Sequence, residues 1–124
     1  PEGLAKGRKY IDDTFALLKS FDPTNFGVKE EKIILAQGEL MSTHMMYFYL
    51  QEIGVEAHML PALDYVKTVE GEPDSDFIRE NIYRLMGAKP DCKLFVTQGY
   101  ICRNEHGDID NLQRGGSDYS ASLV

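Results

Sequence analysis

Glu39–Leu60 reads ELMSTHMMYFYLQEIGVEAHML, and two periodicities meet inside it. Leu40, Met41, Met45, Phe48, Tyr49 and Ile53 return at three- and four-residue steps, which lines them along one wide face of a helix. Gly54 then stands where a left-handed cap would end that helix. Beyond it Val55, Ala57 and Met59 alternate with Glu56 and His58, the two-residue period of a strand. Helices giving way to strands in this manner predict a layered α/β fold rather than a helical bundle.

Working outward, Gly38 separates this helix from a shorter helical stretch at about Val28 to Leu35. Asp22-Pro23-Thr24-Asn25 breaks the chain before that, because proline cannot continue a helix and aspartate and asparagine favour turns. Tyr10, Thr14, Leu17, Leu18 and Phe21 mark a first helix from Lys6 to Phe21. Downstream, short helical character is expected at Ala62 to Val66, and Glu70-Gly71-Glu72-Pro73-Asp74 reads as a polar loop. Asp74 or Ser75 can cap a helix with the face Ile78, Ile82, Leu85 and Met86, stopped by Gly87. Lys93 to Gln98 is a buried strand around Leu94-Phe95-Val96. Gly99 interrupts it before Tyr100-Ile101-Cys102, and Asn104 to Asp108 form a turn. Tyr119 to Val124 read as a further apolar helix. The chain opens at Pro1 and stops inside that helix, so residues 1–124 are expected to be a piece of one domain, its function shared with residues outside it.

Composition narrows the function classes. The 124 residues are 43% hydrophobic and 27% charged, an ordinary globular balance. Twenty acidic against thirteen basic residues give a net charge of −7, the wrong sign for attraction to a phosphate backbone, so no nucleic-acid partner is expected. No apolar run approaches the roughly 20 residues of a bilayer span, and no signal segment opens the chain. A cytoplasmic protein without membrane contact is the expectation. Cys92 and Cys102 lack metal-ligand spacing and read as free thiols, with neither zinc nor a disulfide expected.

Two segments could carry chemistry. Leu112-Gln113-Arg114-Gly115-Gly116-Ser117-Asp118 is a paired-glycine turn running into a helix. Gly115 and Gly116 permit positive φ and close approach, the unpaired N–H groups of the helix start can receive an anion, and Arg114 offers a planar fork for a carboxylate. The plainer reading is a loop with Ser117 as N-cap and Asp118 favourable in the first turn. In Gln37-Gly38-Glu39-Leu40-Met41-Ser42-Thr43 a glycine allows close approach beside Glu39, although a glutamate near a helix start already has a reason in the helix dipole. Met41, Met45 and Met46 read as core, His44, His58 and His106 share no metal spacing, and Asp108 and Asp110 read as a solvated loop.

Taken together and in order, Gly38-Glu39-Leu40-Met41-Ser42-Thr43, Thr97-Gln98-Gly99-Tyr100-Ile101 and Arg114-Gly115-Gly116-Ser117-Asp118-Tyr119-Ser120-Ala121 resemble the aspartate kinases of the amino-acid kinase family. The resemblance covers Ala36 to about Thr68 and Lys93 to Val124 closely. It implies a three-layer α/β/α sandwich of the carbamate kinase-like type, present here as a partial catalytic domain. It also implies transfer of the γ-phosphate of ATP to the β-carboxylate of L-aspartate, giving 4-phospho-L-aspartate on the route to lysine, threonine and methionine.

By the same resemblance Glu39 holds the substrate amino group, Arg114 grips its α-carboxylate with Ser117 beside it, and Tyr100 lies next to the substrate. Asp118 would organise the catalytic lysine and the transferring phosphoryl group, with Gly115 and Gly116 forming the anion loop. Gln113 stands where the family usually has glycine. The family's lysine-containing K-F-G-G-T-S segment, its later nucleotide segment and its regulatory domains are absent from these residues. ATP and magnesium are therefore expected to belong to a parent enzyme, an expected homo-oligomer, and not to bind tightly here. Residues 1–124 alone are expected to be inactive. The alternative is a non-catalytic, degenerate module of the same fold that binds an amino acid or a partner. A spatial expectation follows: the charged ends of Glu39 and Arg114 should converge on one cleft beyond the carboxyl end of the strand at 94–98, with Gly99, Tyr100 and the 115–117 turn on that side.

Overall fold

The computed structural model describes residues 2–113 and 115–124. Helix α1 (Glu2–Lys19) is followed by a 3-10 turn, Pro23–Asn25, whose Asp22 cap accepts from the Thr24 N–H. Helix α2 (Val28–Glu52) then runs unbroken for 25 residues. The expected division at Gly38 is absent. Inside a helix a single glycine costs only about 1 kcal/mol relative to alanine, and hydrogen bonding continues through it. Nor does anything approach Gly38: a Cβ there would meet no atom within 4 Å. The expected left-handed glycine at the end of α2 is present, Gly54 having φ +79°.

Strand β1 covers only His58–Leu60, and α3 is the single turn Ala62–Tyr65. The expected loop after it is a small hairpin, β2 (Thr68–Val69) and β3 (Glu72–Pro73), turning at Glu70 and Gly71 with φ +53° and +81°. Two consecutive positive φ angles are the signature of a tight hairpin turn, and a glutamate is an unusual residue to supply the first. Helix α4 (Ser75–Gly87) starts at the expected cap, Asp74 accepting from the Phe77 N–H. Strand β4 is Phe95–Thr97, β5 is Ile101–Arg103, and β6 (Ile109–Asn111) pairs antiparallel with β5. Helix α5 (Gly116–Leu123) begins earlier than its apolar residues suggest, with Gly115 as its N-cap rather than Ser117.

β1 and β4 pair in parallel, His58 opposite Phe95 and Leu60 opposite Thr97, so α3, the β2–β3 hairpin and α4 form the crossover between them. The described strands make three two-stranded ladders, with a parallel bridge from Lys67 to Arg103 between segments. Ala36 of α2, Leu60, Ala62, Tyr65, Val66, Ile78, Ile82, Ile101, Cys102 and Leu112 pack as one buried cluster under them. Burial, then the nearby Asp110 carboxylate, pushes the Cys102 thiol up to about 11.

The β5–β6 hairpin is fastened across α2. Lys32 pairs with Asp110, and Lys29 Nζ lies 3.1 Å from Asp108 Oδ1. Asp108 and Asp110 are therefore not a free solvated loop. Lysines three apart on a helix project from one face, and aspartates two apart along an extended segment do the same, so the two pairs match in register. Among the described residues, no helix is long and apolar enough to cross a membrane.

Candidate functional site

Three segments distant in sequence meet just beyond the carboxyl ends of β1 and β4, the expected place for a ligand in an open parallel sheet. The segment after β4 lies at the centre. Gln98 is buried, and its side chain holds both flanks: Oε1 accepts from the Ala62 N–H at 2.8 Å, and Nε2 donates to Thr43 Oγ1 at 2.9 Å. Ala62 opens α3, and its amide is one of the orphan donors of a helix start. Tyr65 OH and Thr97 Oγ1, 2.7 Å apart, close the same flank.

Gly99 comes next, and its N–H donates to Glu39 Oε1 at 2.8 Å, joining residues 60 apart in the chain. No other hydrogen bond to the Glu39 carboxylate occurs among the described residues. On its opposite side Gly99 touches α5: an added Cβ would lie 2.9 Å from Ser117 Cα and 2.8 Å from Ser117 Oγ. Only glycine fits that approach. Tyr100 has φ +70°, and its N–H donates to Ser120 Oγ at 2.8 Å. Its ring lies against Gly116, where a Cβ would come within 3.2 Å of Tyr100 Cδ2. A cleft of about 460 Å³ opens here, lined among others by Glu39, Thr97, Gly99, Ser117 and Ser120.

Of the residues expected at one cleft, the structure brings Glu39, Gly99 and Ser117 to its wall, with the Tyr100 ring packed against Gly116 beside them. Arg114 lies outside the described residues, and with it the expected meeting of its side chain with Glu39. Asp118 sits in the first turn of α5, exposed, its N–H donating to the Gly115 carbonyl at 2.8 Å; it does not line the cleft. Gln98, Thr43 and Ser120 are the polar residues that sequence reasoning gave no role. Each lies within a segment singled out for its motif, but their contacts are long-range and leave no periodic trace. Among the described residues no three His, Cys, Asp or Glu side chains gather as a metal ligand set, so no magnesium ligands are assigned within them.

A layered α/β unit with a cleft beyond its parallel strands is the class that fold and site define. No protein-family model matches the chain. The lysine-sensitive aspartokinase 3 of Escherichia coli is 32% identical over 95 residues, 73% of this chain and 21% of that protein. The crystal structure of E. coli aspartokinase III in complex with lysine and aspartate superposes with a TM-score of 0.77 at 27% identity, over 94% of this chain and 27% of that one. The structure of the same enzyme with aspartate and ADP gives the same TM-score of 0.77. The chain is a relative of the aspartokinases and has the α/β fold of the corresponding part of them, spanning about a fifth of the curated relative's length.

Proposed function

We propose that residues 1–124 form the amino-acid-binding part of an aspartokinase catalytic domain, in a cytoplasmic protein that transfers the γ-phosphate of ATP to the β-carboxylate of L-aspartate. The product is 4-phospho-L-aspartate, which feeds lysine, threonine and methionine synthesis. The observation that carries this reading is the junction of Glu39, Gly99 and Ser117 at one cleft, three residues from three separate motifs.

The chemistry asked of these residues is modest. An ammonium group needs an anionic partner, and Glu39, aimed by the Gly99 N–H through one oxygen, can offer its other oxygen. A substrate carboxylate needs a cationic fork, the role the motif gives to Arg114. Ser117 lines the cleft with Glu39, and Asp118 takes its role at the phosphoryl group from the motif alone. Phosphoryl transfer is mostly positioning and neutralisation of charge. ATP with magnesium is the phosphoryl donor, and their binding groups belong to residues outside this chain. Residues 1–124 by themselves are expected to show no turnover.

The test is aspartate-dependent ADP release by the intact gene product that contains these residues, with the acyl phosphate trapped by hydroxylamine. Activity with aspartate and none with glutamate is expected; no aspartate-dependent turnover sinks the reading. Glu39→Gln should raise the aspartate KM on the order of ten- to a hundredfold, the value of one charge-assisted contact, and leave the ATP KM nearly unchanged. Equal effects on both substrates would remove Glu39 from the amine site.

A further inference from the structure

The backbone at Gly99-Tyr100-Ile101, beside the cleft, is strained. The Ile101 N–H donates to the Gly99 carbonyl at 2.7 Å, and Tyr100 between them has φ +70°. A two-residue bond around a positive φ is the rare, strained form of the γ-turn. A bulky residue held in the left-handed region persists only where its surroundings over-determine it.

The surroundings do so from three directions. Glu39 of α2 accepts from the Gly99 N–H at 2.8 Å. The Leu112 N–H, just past β6, donates to the Tyr100 carbonyl at 2.7 Å. Ser120 of α5, 5% exposed, accepts from the Tyr100 N–H at 2.8 Å, and its own O–H donates to the Gly116 carbonyl at 3.2 Å. A helical serine that returns its proton to the carbonyl four residues back is common. Here a lone pair of the same hydroxyl accepts from the strained turn outside the helix, so one side chain ties the Gly115-Gly116 turn to the Gly99-Tyr100 turn.

We propose that Ser120 is a positioning residue of the substrate cleft: its hydroxyl clamps the Tyr100 amide, holds the γ-turn in its left-handed form, and so keeps the Gly99 N–H aimed at Glu39. The clamp stands on geometry alone, while its consequence for substrate rests on the aspartate reading above. Without it, Tyr100 can relax toward negative φ, Gly99 turns away, and the Glu39 carboxylate loses the donor that orients it. The amide left unpaired in Ser120→Ala is a part-buried donor, and the loss of its bond is large enough to be read in rates.

The experiment compares wild type, Ser120→Ala and Ser120→Thr in the intact gene product, by amide hydrogen exchange across residues 99–101 and by the KM values for aspartate and ATP. Ser120→Ala should speed exchange at the Tyr100 amide by about tenfold and raise the aspartate KM by about tenfold, the effect of one lost hydrogen bond. The ATP KM should stay within about twofold, since the groups proposed to bind ATP lie outside residues 1–124. Ser120→Thr keeps the hydroxyl and should return both readouts toward wild type. Where Ser120→Ala does not fold, Ser120→Cys fills the same space with a poor acceptor and carries the same test. Unchanged exchange overturns the clamp whatever the kinetics. Faster exchange with an unchanged aspartate KM overturns the positioning role. A wild type that does not phosphorylate aspartate overturns the substrate reading and the positioning role with it, while exchange still decides the clamp.

Discussion

Two faces of α2 are held by different physics. Near its C-terminus, α2 packs on α1 through contacts that have little direction. Tyr10 stacks on His44 at 4.2 Å and meets Phe48 edge-on at 6.2 Å, and Gly7 lets Met45 lie close. Leu4, Phe15 and Tyr49 remain half exposed there, and an apolar groove of about 330 Å³ runs between the helices. Around Glu39 and Thr43, by contrast, the partners are backbone amides and a buried amide side chain, reached across 55 and 60 residues of sequence. Apolar packing accepts many side chains of similar size. A buried polar link accepts one arrangement and costs heavily when half satisfied. The first face supplies stability; the second supplies a fixed geometry.

The largest effect expected from this contrast is at Gly99. In Gly99→Ala the new Cβ must displace Ser117 backbone, which shifts α5 against the cleft. A misplacement near 1 Å can cost about a hundredfold in rate, so kcat/KM for aspartate in the intact gene product should fall by at least that. Activity within threefold of wild type would show that α5 moves freely and that the two faces are alike.

A smaller effect is expected from a matched pair of changes, one on each face. Gln98→Leu leaves the Ala62 N–H without its acceptor and should destabilise by about 1–3 kcal/mol. Met45→Leu, against α1, keeps the volume and should cost less than about 1.5 kcal/mol. Urea denaturation of both variants checks the pair, and the reverse order would contradict the contrast. The smallest effect is a gain. Gly38→Ala lies within a continuous helix with open space at its Cβ, and should stabilise by roughly 0.5–1 kcal/mol. A loss of stability there would mean that something approaches Gly38 after all, as the sequence first suggested.

Local chemistry alone determined much of this protein. Side-chain periods marked the helices, Asp74 and Gly54 marked two of their ends, and the glycine-rich motifs marked the segments that build the cleft. These signals are carried within a few residues, because helix and cap geometry are local. Boundaries failed where local signals were weak. Gly38 resembles a breaker but costs too little to end a 25-residue helix packed on both sides of it, and β6 has only three residues, paired to β5 and fastened by Lys29 and Lys32 of α2. Only the tertiary structure decided that Gln98 would bridge α2 and α3, that Gly99 must admit Ser117, and that Ser120 would hold Tyr100 at positive φ. Such links join single residues across the chain, where one hydrogen bond is set by how whole elements pack and has no repeat along the sequence from which to be read.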